Sequence, residues 1–207
     1  MVILATGIDT LHPDLANRII PGYDFVNEDS FAYDDNGHGT MIAGIIGAEA
    51  NNSIGIAGID WQAKLLPVKV LNELGWGTAF DVVEGIYYAI EENARILNLS
   101  LGGYEPSSYL AEAIDSAYSS GCVIVAAAGN DRTSQPLYPA AYPNVIGVSA
   151  TKENDLIADF SNYGSYIALS APGVNIYTTQ KGGGNLIASD TSMSCAYVSG
   201  VVALLLG

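Results

Sequence analysis

Five short, almost unbroken apolar runs constrain this chain most: VIL at 2–4, LLPVKVL at 65–71, ILNLSL at 96–101, CVIVAAA at 122–128 and NVIGVSA at 144–150. A strand with one wet face alternates apolar and polar residues, whereas a strand covered on both faces reads as a continuous apolar run. Between the runs lie helical patterns: TMIAGIIGAEA at 40–50, FDVVEGIYYAIEENA at 80–94 and SSYLAEAIDSAYSSG at 107–121, the last stopped by a glycine. Strand and helix in alternation predict an α/β fold, a three-layer, open, mostly parallel sheet with helices on both faces. In such sheets ligands bind beyond the carboxyl ends of the strands, so the residues just after each run are where chemistry is expected. With no internal repeat, low-complexity tract or linker, residues 1–207 are expected to form a single domain.

The remaining composition excludes several classes of function. With 49% apolar and only 14% charged residues the chain is not disordered. A formal charge of -15, from 22 acidic and 7 basic side chains, disfavours nucleic acid and anionic membranes as partners and favours cations. The longest apolar stretch, AYVSGVVALLLG at 196–207, is too short to span a bilayer and reads as a buried helix. The opening MVILATG has no basic n-region or small-residue cleavage site and reads as a strand, not a signal peptide. Cys122 and Cys195 each sit in an apolar run, which points to buried free thiols. GGGN at 182–185 lacks the strand-to-helix setting of a phosphate loop.

The strand ends carry ATGID at 5–9, SLGG at 100–103, AAAGND at 126–131 and, before the final helix, SDTSMS at 189–194. NGHGTMIAG at 36–44 adds a histidine at a helix start. A serine and a histidine on small-residue turns, with an amide on a third, are the parts of an acyl-transfer site: nucleophile, base and oxyanion donor.

Four motifs in chain order, NGHGTMIAG at 36–44, ILNLSLGG at 96–103, VAAAGN at 125–130 and DTSMSCAYVSG at 190–200, resemble those of the subtilisin family of serine proteases, and the resemblance runs from residue 2 to residue 207. It implies a peptidase domain incomplete at both ends. It also implies His38 as general base, Ser192 as nucleophile, and Asn130 and the Ser192 N–H as oxyanion donors. The family's acid stands immediately before the T-G or S-G of the first turn, and here that position is Ala5. An alanine neither fixes the histidine tautomer nor stabilises the imidazolium. Asp9 lies after the turn, where the family also carries an acid that does not meet the histidine, and Asp34 and Asp35 read as the solvated loop leading to His38. Two more positions depart from the family: Asp190 replaces its usual glycine and Ala196 its usual proline. The carboxylate is expected to repel an oxyanion or crowd the leaving group, and the alanine to restore a helical N–H. Tyr197 and His12 read as packing residues.

The resemblance further implies that a peptide or protein substrate is held as an added strand between Gly75, Trp76 and Gly77 on one side and Ser100, Leu101 and Gly102 on the other. The primary pocket is expected against Ser100 to Gly102 and Ala127, Ala128 and Gly129, small or uncharged residues that fit an apolar or broad preference. ANNSIGIAG at 50–58 resembles the family's calcium loop, which implies structural calcium held by Asp14, Asn52 and the carbonyls of Ala50, Ile54 and Ile56. An Asn-rich turn without metal is the alternative. Secretion and an inhibitory pro-segment outside these residues are family expectations. The reading is therefore an endopeptidase impaired at its acid, with a pseudo-protease that binds extended peptides without turnover as the alternative.

Overall fold

Each of the five apolar runs forms a strand at the centre of one sheet. The computed structural model describes residues 1–207 and places β1 at Val2–Ala5, β3 at Leu66–Lys69, β4 at Ile96–Leu99, β5 at Val123–Ala127 and β6 at Val145–Thr151. With β2 (Tyr23–Asp24) and β7 (Ile167–Pro172) at the edges, the order is β2-β3-β1-β4-β5-β6-β7, and every pairing is parallel. From β1 the chain builds to one side through β3 and then to the other through β4. The carboxyl end of β1 is thus at the switch point where a crevice is expected.

Period-two alternation divides the core. Val2 and Leu4 join Leu97, Leu99, Ile124 and Ala126 under α2 (Ala79–Glu91) and α3 (Ser108–Ser119). Ile3 and Ala5 face the opposite way, toward α1 (His38–Gly47) and α4 (Thr191–Leu206). Residue 5 is therefore delivered to the layer that carries both His38 and Ser192. The helix starts follow their caps: Thr78 and Asp81 form a reciprocal capping box for α2, and the Ser107 hydroxyl accepts the Leu110 N–H of α3. With Ala196 in place of proline, α4 runs unbroken for 16 residues, as a restored helical N–H allows.

The predicted helices end two or three residues inside their apolar patterns, which continue into the turns. β2, β7 and the antiparallel hairpin of β8 (Ile176–Thr179) and β9 (Asn185–Ala188) carry too little apolar periodicity to be read in advance. GGGN is the hairpin's turn: Gly182, Gly183 and Gly184 all have positive φ, and the Gln180 N–H donates to the Gly184 carbonyl at 3.0 Å. The hairpin clasps α1, since the Thr178 and Thr179 hydroxyls donate to the Met41 and Thr40 carbonyls at 2.7 Å each. Both cysteines are buried and free, and burial raises the Cys195 thiol to about 12. No helix is long and apolar enough to cross a membrane.

Candidate active site

His38 is the first residue of α1, and polar side chains anchor its helix to the end of β1. The Thr6 hydroxyl accepts the Gly39 N–H at 3.0 Å and donates to Asp34 Oδ1 at 2.8 Å. Asp34, wholly buried, also accepts from the N–H groups of Asn36, Gly37 and Thr40 and from the Thr40 hydroxyl, the last at 2.6 Å. Gly37 at the N-cap has no side chain, so Asp34 satisfies the open donors of the helix in its place. Gly39 must be glycine: a Cβ there would stand 1.9 Å from the Gly7 carbonyl oxygen. Asp34 is therefore a buried structural acid and not the solvated loop residue expected.

The other nearby acids are also engaged. Asp9 Oδ1 accepts the Leu11 N–H at 3.0 Å and Oδ2 the Gly182 N–H at 2.8 Å, tying the first turn to the β8–β9 hairpin. Asp35 pairs at 2.8 Å with Lys69, a buried lysine whose ammonium also donates to the Thr6 and Leu71 carbonyls. His12 donates through Nε2 to the Gly184 carbonyl while its Nδ1 accepts the Asp14 N–H. Ala5 is wholly buried at the end of β1 and offers no group that could bond the His38 ring. Burial pulls the His38 pKa below its ordinary value, against the opposing charges of Asp190 and then Asp34.

Ser192 is 94% buried from solvent in the sense that 6% of its surface remains exposed, and it is the second residue of α4. A buried polar network that the sequence reading missed fixes this helix on β4. Asn98 Oδ1 accepts from the Ser199 hydroxyl at 2.9 Å and the Cys195 thiol at 3.3 Å, while its amide donates to Ser100 Oγ. Ser100 Oγ in turn donates to the Ser192 carbonyl at 3.2 Å. The available signal was Asn98 itself, a lone amide inside the apolar run ILNLSL. Asn130 is exposed, and its Oδ1 accepts the Thr191 N–H at 2.9 Å, which leaves its amide nitrogen free to donate. The Ser192 N–H donates at 2.7 Å to Asp190 Oδ1, so this expected oxyanion donor already has an acceptor. Asp190 therefore caps α4, a contact that the expectation of oxyanion repulsion or leaving-group crowding did not include.

A cleft of about 530 Å³ opens beside His38. Gly75, Trp76 and Gly77 line one side and Ser100, Leu101 and Gly102 the other, with Leu71, Val82 and Leu110 also in its walls. Trp76 commits its backbone to a turn with Asn72: its N–H donates to Asn72 Oδ1 and its carbonyl accepts the Asn72 N–H. The Gly75 carbonyl and Gly77 N–H are the groups left for pairing, while the exposed indole contributes surface. Ala127, Ala128 and Gly129 do not line this cleft. Ala127 and Ala128 are in the core, and the Ala128 carbonyl is taken by Asn162 and Tyr166.

Asp14 and Asn52 meet as the calcium reading requires, but as hydrogen-bond partners. Asn52 Nδ2 donates to Asp14 Oδ1 at 2.6 Å, and Ile56 offers its N–H, not its carbonyl, to Asp14 Oδ2 at 2.9 Å. Ala50 and Ile54 lie in the same loop, where Asn52 Oδ1 accepts the Ile54 N–H. No cluster of three or more His, Cys, Asp or Glu side chains with metal-binding geometry is present.

A parallel α/β sheet with a histidine and a serine at the starts of two helices on one face is the framework of a subtilisin-like serine peptidase. Residues 2–207 match the model of the Subtilase family, and the chain belongs to that family of serine endopeptidases. It is 45% identical over 205 residues to thermitase of Thermoactinomyces vulgaris, covering 99% of this chain and 74% of that protein. A thermophilic serine proteinase of Bacillus sp. strain AK1 is 43% identical over 205 residues, with 99% of this chain but only 51% of the relative covered. The crystal structure of a cold adapted subtilisin-like serine proteinase superposes with a TM-score of 0.91 at 35% identity, over 99% of this chain and 74% of that one.

Proposed function

We propose that this chain hydrolyses peptide bonds of peptide or protein substrates through an acyl-enzyme on Ser192, slowly because Ala5 stands where the base's acid belongs. The supporting observation is that His38 and Ser192 begin two helices of one layer, with His38 lining a cleft bordered by the Gly75–Gly77 and Ser100–Gly102 segments. The substrate lies as an extended strand between Gly75–Gly77 and Ser100–Gly102. Ser192 Oγ attacks the scissile carbonyl carbon while its proton passes to His38. The carbonyl electron pair moves onto oxygen, which Asn130 Nδ2 receives. Collapse re-forms the carbonyl and breaks the C–N bond, and the imidazolium protonates the departing amine. Water then attacks the ester by the same route, its proton going to His38 and then to Ser192 Oγ.

Neutral His38 is suited to accept the first proton, since its burial disfavours the charged form. The same burial outweighs the charges of Asp190 and Asp34 and makes the imidazolium costly to form with alanine at position 5. The alternative, a peptide-binding pseudo-protease, draws support from Ala5 and from the acceptor already seated on the Ser192 N–H. Secretion and inhibition by a pro-segment fit this reading. So does calcium in the Asp14–Asn52 loop, where a half-turn of the Asn52 amide would bring its oxygen to the carboxylate.

The test is hydrolysis of a chromogenic tetrapeptide with an apolar residue before the scissile bond, using this chain and Ser192→Ala. Slow turnover that disappears in Ser192→Ala supports the endopeptidase. Binding without turnover in both proteins supports the pseudo-protease.

A further inference from the structure

An aspartate at a helix N-cap that accepts the N–H two residues on is ordinarily a stabilising device. In this chain the residue two positions on is Ser192, and that N–H is the backbone donor an oxyanion needs. We propose that Asp190 is a positioning residue that closes the oxyanion site, its carboxylate holding the place that the substrate's developing oxyanion would take. The inference rests on the reading of Ser192 as nucleophile and deepens it: this site engages extended peptides in the ground state and is obstructed toward tetrahedral, anionic species.

Five contacts hold the arrangement. The Asp190 backbone is extended, with φ -171° and ψ 155°, and its N–H donates to the Gly173 carbonyl at 2.9 Å. Its own carbonyl accepts the Met193 N–H at 3.2 Å. With the main chain fixed on both sides, the carboxylate reaches the Ser192 N–H at 2.7 Å, a short charge-assisted bond. Across the site, Asn130 is oriented by the Thr191 N–H at 2.9 Å, and Thr191 Oγ1 accepts the Gly129 N–H at 3.1 Å. Asn130 is therefore set as a donor, and its companion donor is occupied by a fixed negative charge. A carboxylate on that N–H resembles the carboxylate of a cleaved product, so the chain carries an internal product mimic.

The two departures from an active site then act separately. Ala5 weakens the base, whereas Asp190 weakens the oxyanion site. Glycine at position 190 would leave the N–H free, and as an N-cap it costs the helix little relative to aspartate.

The experiment compares two probes: a tetrapeptide boronic acid, which becomes tetrahedral and anionic on Ser192, and the matching unreactive tetrapeptide amide. Each is titrated against this chain, Asp190→Gly and Asp190→Asn, with and without Ala5→Asp. Freeing one oxyanion donor should tighten the boronate by roughly 10²-fold in Asp190→Gly and raise kcat by a similar factor in the Ala5→Asp background. The amide's Kd should not change, a split that a purely structural cap would not produce. Asp190→Asn, which keeps the cap but loses the charge, should fall between, and it carries the comparison if thermal melting shows Asp190→Gly to be unfolded. Equal boronate affinity in Asp190 and the folded variants, with the amide bound, would overturn the inference and leave the cleft intact. Failure of every variant to bind the amide would overturn the peptidase reading, and this inference with it.

Discussion

Ala5→Asp should restore the base and raise turnover by orders of magnitude, and the structure indicates how far. Alternation along β1 points residue 5 into the layer of α1 and α4. A Cβ built on Gly39 would lie 3.3 Å from the Ala5 Cβ, so the first turn of α1 is in van der Waals contact with residue 5. A carboxylate placed there, beside the first turn of α1, is expected to meet the His38 ring, fix its tautomer and stabilise the imidazolium that burial now disfavours. In subtilisin, a member of this same family, loss of the acid alone costs about 3 × 10⁴ in turnover, a borrowed value equivalent to roughly 6 kcal/mol of barrier. Ala5→Asp should recover much of that factor yet stop short of a full peptidase. Asp190 still occupies the Ser192 N–H, and one oxyanion donor is worth about 10²–10³ in kcat. The gain should lie in kcat and not in KM, because the acid acts when charge develops on His38 while backbone pairing exists in the ground state. The assay is steady-state hydrolysis of a chromogenic tetrapeptide by this chain, Ala5→Asp and Ala5→Asn, with folding checked by thermal melting. Asparagine has nearly the shape but not the charge, and should give little gain. Equal rates in this chain and a folded Ala5→Asp, or an equal gain from asparagine, would refute the reasoning.

The acid limb of kcat/KM against pH in Ala5→Asp should move down on adding Asp190→Asn, since the Asp190 charge favours protonated His38; an unmoved limb would separate Asp190 from the base. Because the folded pKa of His38 lies below its unfolded value, the unfolded chain binds more protons and stability falls as pH drops through about 6.5; His38→Gln should flatten that part of a melting-temperature profile. Calcium should raise the melting temperature by linkage, about 2.7 kcal/mol at a hundredfold excess over Kd, and Asp14→Ala should abolish the increment. Asp14→Ala also removes two hydrogen bonds, so the ion-dependent difference is the quantity to compare. Gly103→Glu should block peptide binding without unfolding the chain, because Gly103 lines the cleft and a Cβ there meets no atom within 4 Å. At Gly102 a Cβ would press on Leu137 at 2.7 Å and confound folding with binding.

The sequence by itself determined the parallel α/β class, the five central strands and the helices between them, and it singled out His38 and Ser192 as candidate base and nucleophile. Those features are local or periodic: continuous apolar runs report burial on both faces, and small-residue turns mark strand ends. It also pointed to Ala5 as the position where the family resemblance expects the acid, because Ala5 stands beside a recognisable T-G turn. Only the tertiary structure decided what the remaining polar residues do. Asp34 read as a loop acid and is a buried cap, Asp9 ties the first turn to a hairpin 173 residues away, and Asn98 fastens α4 to β4. Asp190 read as a repulsive charge near the serine, and the fold seats it on the serine's own N–H. A side chain's sequence neighbours state its chemistry, but the lone pairs of an aspartate are claimed by whichever donors the fold brings within 3 Å. Those donors come from distant segments, through contacts that no periodicity records.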